Sequence, residues 1–349
     1  MSDELTIALD AMGGDRGPDM VLRGANIARQ RFPQARFLFF GDEGRLRPVL
    51  AKLPQLDKVS SLRHADQEVR PEDKPSAVLR SGRGTSMRLA IDSVREGEAS
   101  GVVSAGNTGA LMAMAKFVLK TMPGIDRPAI ASFFPTLRAE SVMLDLGANL
   151  QCGANNLVEF AVMGNVFART VLGVLEPSVG LLNVGSEDVK GYEALREAHA
   201  ILREATMPGH FHGFVEGDDI AKGTVDVIVT DGFTGNIALK TIEGTVKLYS
   251  EFLRQTFSSS LLSRLGYLLA RPALRTLRTR TDPRRYNGAI FLGLNGIAVK
   301  SHGGTDAFGF ANAIGVAIDM VLHGAIDKIR DDFAHLTSHA ATNPLAATV

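Results

Sequence analysis

The residues best placed for chemistry sit in two short glycine-rich runs, Ser104-Ala105-Gly106-Asn107-Thr108-Gly109 and Asp231-Gly232-Phe233-Thr234-Gly235-Asn236. In the first, Gly106 lets main-chain N–H groups converge without Cβ clashes, and Asn107 or Thr108 suits the cap of a following helix. Free N–H groups and a hydroxyl at a helix start form an anion site. An ordinary strand-to-helix turn uses the same residues. In the second run, amide, hydroxyl and glycine N–H donors suit an oxyanion hole for a tetrahedral intermediate. They equally suit a loop tied by the Asx-type hydrogen bonds of Asp231. Lys190 and Lys300 each lie near a glycine-rich strand end, where an ammonium would neutralise a phosphate. His302, beside Gly303-Gly304, offers a further donor. Against this, an isolated lysine is usually solvated, and a loop histidine is as often structural.

Other chemistries lack their signatures. The chain has no G-x-x-x-x-G-K-[ST], G-x-G-x-x-G or G-x-S-x-G, the marks of ATP use, dinucleotide binding and a hydrolase elbow. Glu216, Asp218, Asp219 and Asp231 are acids of the type that hold Mg²⁺, but scattered loop acids are commonly solvated or capping, and no metal or cofactor is expected. Cys152, the single cysteine, has no nucleophile motif around it and excludes an internal disulfide. A reducing cytoplasm is therefore the expected home.

These residues need a scaffold that gathers loop ends. Apolar runs at 6–10, 37–41, 102–104, 129–134, 142–145, 179–183, 225–230 and 297–300 read as strands. Helical patterns at 20–31, 76–95, 108–120, 157–175 and 189–206 lie between them. The alternation predicts a three-layer α/β/α fold with a mainly parallel sheet, and in such sheets functional loops gather at the carboxyl ends of strands. One domain is expected over 1–337, with a disordered tail over 338–349. Lys+Arg and Asp+Glu both total 38 among 349 residues, so whole-chain charge gives no reason to expect nucleic acid. The acidic start, Met1-Ser2-Asp3-Glu4, does not read as a signal peptide, and no apolar run approaches membrane-spanning length.

The stretch at about 257–285 stands apart. Leu261, Leu262, Leu265, Leu268 and Leu269 fall on one helical face before Pro272 interrupts, and Arg264, Arg271, Arg275, Arg278 and Arg280 make the stretch strongly basic. A basic amphipathic helix suits a membrane interface or an acidic partner; a core or dimer contact with solvated arginines is the plainer use.

Taken together, the loops resemble the phosphate acyltransferase family of bacterial phospholipid synthesis (PlsX). The resemblance rests on Asp10-Ala11-Met12-Gly13-Gly14-Asp15, VSAGNTGAL (103–111), DLGAN (145–149), LNVGSEDVKG (182–191), VEGDDI (215–220), VTDGFTGNIALK (229–240) and VKSHG (299–303). It implies transfer of a fatty acyl group from acyl carrier protein to inorganic phosphate, a fold like phosphotransacetylases and isopropylmalate dehydrogenases, and a homodimer. It also implies a product that passes to a membrane-bound glycerol-3-phosphate acyltransferase, and so an enzyme of the cytoplasm in transient contact with the membrane's inner face.

Ionised phosphate and a thiolate leaving group ask for orientation and electrostatics more than for acid–base chemistry. On this reading Lys190 holds phosphate and the developing charge, and Asn236 donates to the thioester oxygen. Ser104, Gly106, Asn107, Thr108, Asp231, Lys300 and His302 line the substrates. Ser104 as a covalent acyl acceptor has no base visible in the sequence. Rival readings make different demands: a short-chain phosphotransacetylase needs coenzyme A, an oxidoreductase needs NAD, and a lipid-binding regulator shows no turnover.

Overall fold

The computed structural model describes residues 5–342. Strand and helix alternate from the start, through β1 (Thr6–Asp10), α1 (Gly17–Arg31), β2 (Arg36–Gly41), α2 (Glu43–Leu50), α3 (Pro54–Asp57) and β3 (Ser60–His64). Next come α4 (Pro75–Ser81), α5 (Ser86–Arg95), β4 (Gly101–Ser104) and α6 (Thr108–Leu119). The middle of the chain holds β5 (Ala129–Pro135), β6 (Glu140–Leu144), α7 (Ala154–Phe167), β7 (Ser178–Leu182), α8 (Glu193–Glu204), β8 (His210–Val215), α9 (Gly217–Lys222) and β9 (Val227–Val229). Two long helices follow, α10 (Gly232–Ser258) and α11 (Leu261–Arg280), before β10 (Ala289–Leu292), β11 (Ile297–Lys300), α12 (Ala307–Leu322) and α13 (Ala325–Thr342). Helix α13 runs past Ser338, where a tail was expected to begin; residues 343–349 lie outside the described residues.

Among the described residues one eleven-stranded sheet forms, in the order β3-β2-β1-β4-β11-β10-β5-β6-β9-β7-β8. Its inner strands are mostly apolar because helices cover both faces, each with its own buried cluster, while the edge strands β3 and β8 are more polar. Pairing is parallel except where β10 meets β11 and β5, and where β5 meets β6. The sheet is therefore mainly parallel, as expected, but its two halves run in opposite directions. Leu144 at the end of β6 pairs with Ala131 near the start of β5, whereas Lys300 at the end of β11 pairs with Ala289 at the start of β10.

Two helices differ from expectation in ways that matter for the site. The single helix expected over 76–95 is broken by a 3-10 turn at Gly82–Gly84, two glycines being poor helix formers. It restarts at α5, where Thr85 caps Arg88 N–H at 3.3 Å and brings Ser86 to the sheet edge. In α11 the helix passes through Pro272 instead of stopping there; the site is exposed, so water satisfies the carbonyl that the missing N–H leaves.

The first part of α10 packs on the sheet through Ala238, Leu239 and Ile242. The remainder stands away from it. In α11 no described residue is buried, and Leu261, Leu262, Leu265, Leu268 and Leu269 are all exposed, Leu261 by 83%. Phe257 and Tyr267, edge to face at 5.6 Å, hold α10 and α11 together as a hairpin.

Candidate active site

Three adjacent parallel strands, β1, β4 and β11, end side by side. Their loops, with the loop after β3, enclose a cavity of about 400 Å³ lined by Asp15, Glu68, Arg70, Gly106, Asn107, Thr108, Lys300 and Gly303 among others. Asn107 caps α6, its Oδ1 accepting from Ala110 N–H at 3.0 Å. Its Nδ2 donates to the carbonyls of Pro71 and Asp73, tying the loop after β3 to the cap. By helix geometry the N–H groups of Thr108 and Gly109 have no partner inside α6, and both residues line the cavity.

Lys300 supplies the cation. It is half-buried, and its ammonium donates to the carbonyls of Ala105, at 3.3 Å, and of Ser301. Burial pulls its pKa down to about 8, against the opposing charges of Asp15 and Asp10. His302 is exposed and lies beside Gly303, which lines the cavity while His302 itself does not; its Nδ1 accepts from Gly304 N–H at 3.1 Å, which leaves the proton on Nε2. Asn287 fixes this loop from behind, accepting His302 N–H at 2.8 Å and donating to Ser301 Oγ and Gly309 O.

Ser104 is fully buried, its hydroxyl bonded to Asp10 Oδ2 at 2.6 Å and accepting from Gly106 N–H at 3.0 Å. Asp10 is thus an acceptor for the Ser104 proton that the sequence did not reveal. A hydroxyl with no exposure cannot reach an acyl carbon, so Ser104 supports the loop rather than lining the cavity. Asp10, Ser86, Glu68, Arg70 and Asn287 were all missed as site residues in the sequence.

The remaining candidates lie elsewhere. The ends of β6, β9 and β7 form a second wall, which carries Asp145, Asn149, Asn183, Lys190, Asp231 and Asn236. Because this half of the sheet is reversed, the single cradle expected from all nine catalytic and substrate-lining residues divides in two. No hydrogen bond joins the two walls among the described residues. Lys190 is exposed, while Asn236 is half-buried, lying close to Gly147 in the first turn of α10. Gly235 is required there, because a Cβ would fall 2.0 Å from Asp145 O. Asp145 is buried, and its carboxylate accepts from the N–H groups of Ile130, Gly147, Ala148 and Asn149 and from Asn149 Nδ2.

Asp231, expected to line substrate, caps α10. Its oxygens accept from Thr234 N–H and Oγ1, both at 2.9 Å, and from Tyr192 OH at 3.4 Å, and a carboxylate so placed repels phosphate. Burial first, and then the Asp231 charge, push Tyr192 up to about 12. Burial likewise pushes Cys152 up to about 11, with Asp145 adding to it, which keeps the thiol protonated. The acids considered for Mg²⁺ are otherwise engaged: Asp219 accepts Glu216 N–H at 2.9 Å, and Lys222 bonds Asp218 and Asp219.

Residues 5–328 match the family model described as fatty acid synthesis protein. A phosphate acyltransferase of Rhodospirillum centenum is 69% identical over 96% of this chain and 95% of its own. One from Rhodospirillum rubrum is 62% identical, again over 96% of each. Among solved structures, a phosphotransacetylase from Streptococcus pyogenes superposes with a TM-score of 0.64 at 18% identity, covering 92% of this chain and 95% of that one. A branched-chain phosphotransacylase from Enterococcus faecalis gives 0.57 at 13% identity, covering 91% and 99%. At these identities the structural likeness establishes the fold, which agrees with the expectation of a phosphotransacetylase-like architecture.

Proposed function

This chain belongs to the fatty acid synthesis protein family and is an enzyme that transfers an acyl group to phosphate for phospholipid synthesis, and from that premise we propose how its two walls divide the reaction. Phosphate sits in the cavity of the first wall. The observation that carries this assignment is Lys300, a partly desolvated cation beside the unpaired N–H groups that open α6. Thr108, Arg70 and the Nε2–H of His302 complete the donor set, and the Asn107 cap holds it in place.

The acyl donor is a fatty acyl thioester of acyl carrier protein. Its carbonyl is met by the second wall, where Asn236 donates to the oxygen and Lys190 holds the developing charge. What supports one reaction using both walls is sheet twist. The middle strands of the two walls, β4 and β9, are five steps apart in the sheet, and at roughly 20–25° per step these accumulate about 100–125°. On the proposed reading, that rotation offsets the reversal of direction and brings both sets of strand ends to one side. Attack by a phosphate oxygen on the carbonyl carbon forms the tetrahedral intermediate, and loss of the thiolate leaves an acyl phosphate. The ionised phosphate needs no general base, and the work is orientation and charge stabilisation.

The acyl phosphate passes to a membrane-bound glycerol-3-phosphate acyltransferase. The protein is a cytoplasmic homodimer that touches the membrane peripherally through the leucine face and arginines of the α10–α11 hairpin, including Leu261, Arg264, Leu265, Leu268, Arg271 and Arg275. The deciding experiment is acyl-phosphate formation from purified protein, long-chain acyl carrier protein and phosphate, with acyl-coenzyme A alongside. Carrier-dependent product that disappears without phosphate is the expected result. Turnover of short acyl-coenzyme A alone would replace the carrier with coenzyme A as donor.

A further inference from the structure

The cavity's loops are anchored to a carboxylate that does not line it. Asp10 is 1% exposed, and its two oxygens take the hydroxyls of Ser86 and Ser104, each at 2.6 Å. Oδ1 also accepts from Met12 N–H at 3.3 Å. Ser104 then accepts from Gly106 N–H, so carboxylate, hydroxyl and amide form a chain that ends in the backbone entering Thr108. Ser86 adds the first residue of α5 to the same point. The fit is close: a Cβ on Gly13 would lie 2.7 Å from both Asp10 Oδ2 and Gly106 N.

A buried carboxylate is costly unless its charge is balanced or its oxygens are well bonded. Charge-assisted bonds from two hydroxyls meet part of that cost. Burial still raises the pKa of Asp10, against the bonds from Ser104, Ser86 and the N–H groups of Met12 and Gly13. Lys300, whose own bonds go to the neutral carbonyls of Ala105 and Ser301, feels the charge of Asp15 first and of Asp10 second. Asp10 at the end of β1 and Asp15 in the loop after it act on Lys300, Glu68 and Arg70 line the same cavity, and His302 stands two residues along its own chain.

We propose that Asp10 is a positioning residue for acyl transfer to phosphate, fixing the anion-binding turn through its bonds to Ser104 and Ser86 and adding its charge to that of Asp15 in keeping Lys300 cationic. The role rests on the cavity being the phosphate site. Its test is therefore phosphate binding, followed by titration calorimetry from about pH 6.5 to about 9.5, which needs no acyl donor.

Asp10→Asn keeps the shape and removes the charge. It weakens phosphate binding about tenfold at pH 8 and moves the alkaline loss of binding down by about one pH unit. In a Lys300→Arg background the same change leaves the alkaline limb unmoved, because arginine does not deprotonate there. Ser104→Ala weakens binding about fivefold with no movement of the limb. A folded Asp10→Asn protein with an unmoved limb overturns the role, as does an equal movement in the Lys300→Arg background. If Asp10→Asn fails to fold, the Ser86→Ala/Ser104→Ala double variant decides, and unchanged phosphate affinity then sinks the clamp. Wild-type protein that binds no phosphate removes the cavity assignment as well; binding that ignores Asp10 removes only the positioning role.

Discussion

The two walls use similar residue types to different effect. At the first, Lys300 is half-buried and bonded to the carbonyls of Ala105 and Ser301, and the Asp10 carboxylate is fixed by two serine hydroxyls. At the second, Lys190 is exposed and Asp231 is committed to a helix cap. A charge out of water with preset partners acts far more strongly on a substrate than one that solvent screens. The difference teaches that a lysine at a strand end is only as useful as its burial makes it. The first wall holds its cation and its helix cap in place through its own bonds, whereas the second leaves its lysine in solvent.

The comparison is broken most directly at Lys300. Lys300→Met lowers kcat/KM for phosphate by about 10²–10³-fold in steady-state assays. A loss below about tenfold would erase the contrast between the walls. Lys190→Ala and Asn236→Ala each lower kcat by about tenfold, and turnover within about threefold of wild type would place the second wall outside the reaction.

A pH profile sharpens the contrast further. Lys300 is protonated below its pKa of about 8, so KM for phosphate rises as pH passes upward through that value, and Lys300→Arg removes the rise. The smallest effect on chemistry belongs to the hairpin. Changing Leu261, Leu265 and Leu268 to Glu abolishes flotation with anionic vesicles while turnover in solution stays within about twofold. Unchanged flotation would remove the membrane contact.

Much of this was legible in the residues, and the exceptions have physical causes. Strand positions and the glycine-rich loops could be read because apolar runs and turn residues are local signals. β10, only four residues long, offered too little pattern. In β8, His210-Phe211-His212-Gly213 hides an edge strand behind polar residues. The reversed half of the sheet left a usable signal: the strand-like runs at 129–134 and 142–145 are joined by a link too short for a parallel crossover. Placing every loop at one edge overlooked it. The bond from Ser86 to Asp10 spans 76 residues and depended on the break at Gly82–Gly84, so no local pattern announced it. The cap that Asp231 forms on α10 was illegible for a different reason, since capping and ligand-lining aspartates look alike in sequence.

The length of α10 has an electrostatic consequence. Its 27 residues make a rod of about 40 Å, with Asn236 in the first turn and the hairpin tip at the far end. The Debye length at physiological ionic strength is about 8 Å, so several screening lengths separate Asn236 from the tip. The field of an anionic surface under Leu261 is extinguished along that rod. Under the proposed membrane contact, docking is tuned through lipid charge or salt without retuning the second wall, and any message between them passes as helix displacement.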